Sequence, residues 1–185
     1  MTEKVIIAGF GGQGILFLGK LLAQSGMAQD HHVTFFPAYG PEVRGGRANC
    51  HVILSSDEIF SPRIDQADAA LAMNQMSWDY FANCVRSDGL AVVNTSTVEL
   101  EPGVGPERVI GVPATELADE AGDVRVTNLV MLGAYHRARQ LLSADVLMAT
   151  LRTMLPGAKA ALLDVNCAAF QRGIEAAEAQ VCRTA

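Results

Sequence analysis

GFGGQGILFLGKLL, residues 9–22, follows a short apolar run at residues 4–8 and opens a segment in which Leu16, Leu18, Leu21 and Leu22 recur at helical spacing. A strand that turns through glycines straight into a helix is the opening unit of an α/β sheet. Gly9, Gly11 and Gly14 satisfy G-x-G-x-x-G. In that pattern the first glycine permits the tight turn, the second lets backbone or ligand come close, and the third lets helix lie on strand. Gly12 and Gln13 complete the turn, and the helix start offers free N–H groups and a positive dipole end to an anion. Gln13 reads first as a local cap, since a polar amide beside a turn readily bonds nearby backbone groups.

A dinucleotide site needs more than this turn. An Asp or Glu about 20 residues on, at the end of the second strand, binds the ribose hydroxyls. Here that end reads Phe35-Phe36-Pro37-Ala38, and the nearest acids, Asp30 and Glu42, fall before the strand and inside the next loop. The phosphate half of the fingerprint is present and the ribose half is missing. A free-standing NAD(P)-linked dehydrogenase or a nucleotide-sensing module therefore stands as the alternative of another class, and a turn that serves chain geometry weighs at least as much.

Strand-like runs rich in Val, Ile, Leu and Phe recur at residues 4–8, 32–36, 50–54, 69–73, 90–94 and 108–112. Helical periodicity covers 13–29 and 76–85, the latter ending before a Ser-Asp-Gly turn at 87–89, and then dominates the last third at 128–142, 144–155 and 159–180. Thr127 or Asn128 is expected to cap the first of these late helices and Ser143 the second. The pattern predicts a Rossmann-like three-layer α/β sandwich: a mostly parallel sheet with helices on both faces and a helix-rich C-terminal third. With 185 residues, half of them hydrophobic, one domain spanning 1–185 is expected, large enough to bury about 70% of its unfolded surface.

The formal charge of −6 is spread without acidic or basic blocks, so neither nucleic acid nor a membrane surface is expected as a partner. No apolar run approaches the ~20 residues of a membrane span, and the start of the chain reads as a strand; a soluble, cytoplasmic protein is expected. Cys50, Cys84, Cys167 and Cys182 are far apart. Neither a zinc site nor an iron–sulfur cluster has its usual local spacing, and free thiols in a reducing compartment are expected.

Residues 37–47, PAYGPEVRGGR, hold two prolines and three glycines, too many for the interior of an element. The loop follows the second strand, where open α/β sheets gather ligands. Tyr39, Glu42, Arg44 and Arg47 place one amphipathic ring, one carboxylate and two guanidiniums on it. The planar fork of Arg suits carboxylate or phosphate recognition; a surface loop with a weak Glu–Arg pair is the equal alternative.

No nucleophile elbow and no H-E-x-x-H frame occurs. His51 on an alternating strand and His136 within a helix read as structural histidines, and Met73, Met76, Met131, Met148 and Met154 as core or interface filler. No catalytic residue and no metal site is assigned. So thin an inventory suggests a subunit that completes a site built elsewhere.

GFGGQG, AYGPEVRGGRANCHVILS, TNLVMLGA at 127–134 and GAKAALLDVNCAAFQRG at 157–173 occur in one order. Together they resemble the gamma subunit of the 2-oxoacid:ferredoxin oxidoreductases, the family of pyruvate, 2-oxoglutarate and ketoisovalerate enzymes, over nearly the whole chain. The resemblance implies a multi-chain enzyme, inactive from this chain alone, that decarboxylates a 2-oxoacid to an acyl-CoA and passes electrons to ferredoxin in anaerobic metabolism. Thiamine diphosphate, magnesium, iron–sulfur clusters and coenzyme A are then expected on or with the alpha and beta, and in some enzymes delta, subunits, with no cofactor held by this chain alone. A homodimer is the state open to the isolated chain. Within that frame Tyr39, Glu42, Arg44 and Arg47 are expected to meet neighbouring subunits beside the thiamine site, and overall similarity leans to 2-oxoglutarate. The small subunit of indolepyruvate:ferredoxin oxidoreductase is the related alternative.

Overall fold

Val5, Ile6, Ile7 and Ala8 are buried in succession on the first strand, as a central strand covered on both faces requires. A computed structural model describes residues 1–39, 47–155 and 163–181; it shows six strands, β1 (Thr2–Phe10), β2 (His32–Tyr39), β3 (Arg47–Ser55), β4 (Ala67–Ala72), β5 (Val85–Asn94) and β6 (Arg108–Val112). They form one sheet in the order β2-β3-β1-β4-β5-β6. β1, β4, β5 and β6 run parallel, while β3 is antiparallel to both β1 and β2. The sheet is thus mostly parallel, as expected, with a hairpin of β2 and β3 at one side. Pro37 is tolerated in β2 because that strand is the sheet edge and need not donate outward.

The helices are α1 (Ile15–Ala28), α2 (Gln75–Phe81), α3 (Ala114–Glu120), α4 (Thr127–Arg139), α5 (Ala144–Met154) and α6 (Leu163–Val181). The two faces are unequally clad. α1 lies on β2 and β3 so closely that a Cβ at Gly19 would strike Cys50 and Phe35, and one at Gly26 would strike Leu54. α4, α5 and α6 complete that layer over a core that includes Val52, Leu71, Val92 and Phe170. The opposite face has α2, which brings Phe81 to Ile6, Ala8 and Ile53, together with Ile59 and Ile64 of the β3–β4 connection.

α4 and α6 meet backbone to backbone. A Cβ at Gly133 would collide with the Phe170 carbonyl, and one at Gly173 with the Val130 carbonyl. The GA and RG glycines of the two late motifs therefore mark one helix crossing, where main chain rather than a flexible side chain blocks any substituent. The far edge of the sheet is closed by α6 as well: the Gln180 amide accepts from the Gly111 N–H at 3.2 Å and donates to the Gly111 carbonyl. The side chain replaces a neighbouring strand at β6.

Several local expectations are corrected. Residues 87–89 form no turn between elements but lie within β5, where the pairing with β4 jumps from Ala67–Val85 to Ala69–Leu90 and the extra residues bulge. Neither Thr127 nor Asn128 caps α4: the Thr127 hydroxyl donates back to the Val124 carbonyl, and the Asn128 amide is drawn to the Gly14 carbonyl at 3.2 Å. Ser143 does cap α5, accepting from the Val146 N–H at 3.2 Å. α3 adds a helix between β6 and α4 that is too short for its periodicity to stand out in the sequence. Residues 159–162 of the expected last helix lie outside the described residues.

At the amino ends of the strands, the fully buried Tyr135 hydroxyl donates to Glu3, and Arg139 sets its Nε 3.0 Å from the same carboxylate, off the hydrogen-bond direction. Burial raises the Glu3 pKa against the opposing pull of Arg139. These contacts fasten α4 to β1.

Gly133→Ala and Gly173→Ala should each destabilise the chain by about 1–3 kcal/mol or more, because the helices must separate to admit a methyl group; urea unfolding monitored by circular dichroism measures it. Cys50 has no exposed surface, and burial pushes its thiol up to about 12. At pH 8 it should resist iodoacetamide in the native chain while the half-buried Cys84 is modified, and should react once the chain is unfolded; peptide mass mapping reads both.

Candidate functional site

The connections leave β1 toward β2 in one direction and toward β4 in the other, so the carboxyl ends of β1 and β4 form the switch point where open sheets bind ligands. The glycine turn lies there. Gly12 and Gly14 have φ of +103° and +73°, a region in which only glycine is comfortable. Space is restrictive as well: a Cβ on Gly14 would strike the Asn128 amide, and one on Gly9 would come within 2.6 Å of Gln13 Oε1 and 2.7 Å of Ile15 Cδ1. Gly11 is exposed in the same turn.

Gln13 fills the crevice between the two strands. Its Oε1 accepts from the Phe10 N–H at 2.7 Å and the Asn74 amide at 3.0 Å, while Nε2 lies 3.4 Å from the Met73 carbonyl. That carbonyl is the centre of a wider knot. The Thr97 hydroxyl donates to it at 2.9 Å and the Asn94 amide at a longer 3.4 Å. Asn94, with no exposed surface, also donates to Thr115 and accepts from the Ala114 N–H at the start of α3. Asn74 accepts from the Ser77 N–H and so caps α2. Gln13, Asn74, Asn94, Thr97 and the Met73 carbonyl thus bond one another, while the buried Asn128 Oδ1 beside Gly14 has no hydrogen-bond partner; the acid that a ribose would need at the end of β2 has no counterpart among the described residues of that strand.

Beyond Thr97, a cleft of about 680 Å³ is lined by Gln75, Asp79, residues 95–98, Glu99 and Glu101. Its charged groups are all carboxylates, which repel a phosphate. Among the described residues no group of three metal-ligating side chains exists. Cys50, buried and held as a thiol, and the separate Cys84 and Cys167 provide no shared set of thiolates for an iron–sulfur cluster.

Of the loop residues, Glu42 and Arg44 lie outside the described residues, as does the side chain of Tyr39. Arg47 opens β3, exposed, with its guanidinium 5.4 Å from the centre of the Tyr80 ring on α2. The motifs of the sequence do not single out Tyr80, Asn74 or Asn94; the signal for the two asparagines is their place at the end of a strand or just past it, where a short amide can bond the start of a later helix. His51 faces Phe36 at 6.4 Å, and burial lowers its pKa.

Gln13→Ala should cost about 1–3 kcal/mol, because the Phe10 N–H and the Asn74 amide lose their acceptor, and thermal unfolding measures it. Calorimetry of the intact chain with NADH, NADPH or AMP should give no saturable heat; saturable binding of any of them would mean that Gln13 yields to a nucleotide.

A family model described as pyruvate ferredoxin/flavodoxin oxidoreductase matches residues 4–176. Ketoisovalerate oxidoreductase subunit VorA of Methanothermobacter marburgensis is 45% identical over 130 residues, covering 70% of this chain. The chain spans only 27% of that relative's length. 2-Oxoglutarate synthase subunit KorC of Methanocaldococcus jannaschii is 28% identical over 182 residues, covering 96% of this chain and 95% of its own. The solved gamma subunit of keto/oxoacid ferredoxin oxidoreductase from Geobacter sulfurreducens superposes with a TM-score of 0.82 at 26% identity, over 96% of this chain and 99% of that one. A solved chain of 2-oxoglutarate:ferredoxin oxidoreductase from Magnetococcus marinus superposes with a TM-score of 0.84 at 26% identity, but this chain covers 31% of it. With its sheet, its glycine turn and the match from residue 4 to residue 176 in agreement, the chain belongs to the pyruvate ferredoxin/flavodoxin oxidoreductase family.

Proposed function

We propose that this chain is the gamma-type subunit of a multi-chain 2-oxoacid:ferredoxin oxidoreductase and has no activity alone. The observation that carries the reading is the end-to-end correspondence with a solved gamma subunit, 96% of one chain on 99% of the other. A crevice filled by Gln13 and the absence of a shared ligand set among the described cysteines support the same division of labour. Thiamine diphosphate with magnesium and the clusters belong to the alpha and beta, or delta, chains, where the thiamine supplies the carbanion chemistry of decarboxylation and the clusters carry electrons to ferredoxin. This chain, a single cytoplasmic domain, contributes a rigid wall and the loop of Tyr39, Glu42, Arg44 and Arg47 beside that site. No helix among the described residues is long and apolar enough to cross a membrane.

The substrate we favour is 2-oxoglutarate, supported by the full-length likeness to KorC. A branched-chain 2-oxoacid is the second reading, favoured by the higher identity to VorA over 130 residues. Anaerobic affinity purification of the tagged chain from its host, followed by dye reduction with coenzyme A and either oxoacid, separates them. Partners with thiamine and cluster motifs and turnover of one oxoacid are expected; a lone chain that binds nucleotide would overturn the reading. In the assembled enzyme, Arg44→Ala and Arg47→Ala should each raise the apparent KM for oxoacid or coenzyme A, since each removes a fork suited to a carboxylate or phosphate; unchanged steady-state kinetics would remove that role.

A further inference from the structure

Two carboxylates stand on adjacent strands at the amino edge of the sheet, Glu3 on β1 and Asp68 on β4, with side chains only 12% and 15% exposed. Their partners are unequal. Asp68 accepts from the Lys4 N–H at 2.8 Å and from the Arg86 guanidinium at 2.9 Å. Glu3 accepts from the Tyr135 hydroxyl alone, at 3.2 Å, among the described residues. Arg139 spends its Nη2 on the Asp68 main-chain carbonyl at 2.5 Å, and its buried Nε, 3.0 Å from Glu3, has no hydrogen-bond partner. The remaining neighbours do little for Glu3: Leu54 is opposite it on β3, and Arg86 on β5 is drawn away by Asp88. When two acids near one cation have unequal donors, the one with fewer is the first to take a proton. Burial, the largest cause, holds the Glu3 carboxyl above its ordinary range and the Asp68 charge adds to it, while Arg139, Tyr135 and Arg86 pull the other way.

We propose that Glu3, Tyr135 and Arg139 form a proton-linked clasp: docking of the second half of α4 on β1 takes up a proton from solvent at the Glu3 carboxylate, so the clasp tightens on acidification and loosens as Glu3 ionises. An acid that holds its proton more firmly in the folded chain contributes its stability in full below its unfolded range and loses it as pH rises through the folded one. One such proton changes the docking equilibrium by at most about tenfold per pH unit. The helix so seated matters to the rest of the chain, because α4 also supplies Asn128 to the Gly14 carbonyl and lays Gly133 against α6. All members of the clasp belong to this chain, so its test needs no partner subunit.

The test follows amide hydrogen exchange of residues 131–139 in the intact chain from pH 4 to pH 8, wild type against Glu3→Gln, an isostere of the protonated acid. Comparison at each pH cancels the intrinsic exchange rate. The two should be equally protected at the acid end and diverge as pH rises, Glu3→Gln becoming the more protected by up to about tenfold per pH unit until Glu3 is fully ionised. Tyr135→Phe, which removes the hydroxyl donor to the carboxylate, should carry the divergence to higher pH. Should either variant fail to fold, titration of the Glu3 carboxyl carbon by nuclear magnetic resonance in the wild-type chain decides the matter, with a midpoint above those of the exposed glutamates expected. A Glu3 midpoint at or below theirs would overturn the clasp, as would a ratio of Glu3→Gln to wild-type protection that stays constant across the range.

Discussion

The carboxyl edge of the sheet is organised around one main-chain oxygen. The Met73 carbonyl, just past β4, receives the Thr97 hydroxyl at 2.9 Å, with the Gln13 and Asn94 amides at 3.4 Å. Through these three side chains the glycine turn, the end of β5 and the start of α3 are tied to one point. Buried polar groups lock a structure when every member is satisfied and weaken it when one is not, so the knot fixes the strand ends at the switch point.

Much of this architecture is written locally. Five of the six strands announce themselves by short runs of Val, Ile, Leu and Phe, β4 by a run of Ala and Leu, and α1 and α5 by helical spacing and, for α5, the Ser143 cap. What was hidden depended on distant partners. Nothing near residues 32–55 says that β2 and β3 pair as a hairpin and that β3 then runs against β1, because register is decided by which face meets α1. Asn128 has the composition of a cap, but a glycine 114 residues earlier claims its amide. The β5 bulge took a Ser-Asp-Gly sequence that elsewhere makes a turn. The glycines of the turn were legible as geometry; the role of Gln13 as its filler was legible only in part, since Met73 and Asn74 arrive from another strand. Of the loop residues set apart from sequence, Arg47 alone has a described side-chain environment, and its position over Tyr80 could not be read from either segment alone.

The unequal cladding of the sheet links the fold to its use. On one face α1, α4, α5 and α6 form a complete layer, sealed by the glycine crossing of α4 and α6. On the other, among the described residues, α2 and a connection cover the centre, and Phe36 on the hairpin half is exposed. A domain that had to stand alone would lose apolar burial by this arrangement.

The most direct test of this account is a cryo-electron microscopy map of the assembled, anaerobically purified enzyme with coenzyme A and 2-oxoacid present. The account predicts this chain bound to thiamine- and cluster-bearing subunits, with Gln13 still seated between Phe10 and Asn74 and no nucleotide at the glycine turn. Density for a dinucleotide there, with Gln13 displaced, would contradict it.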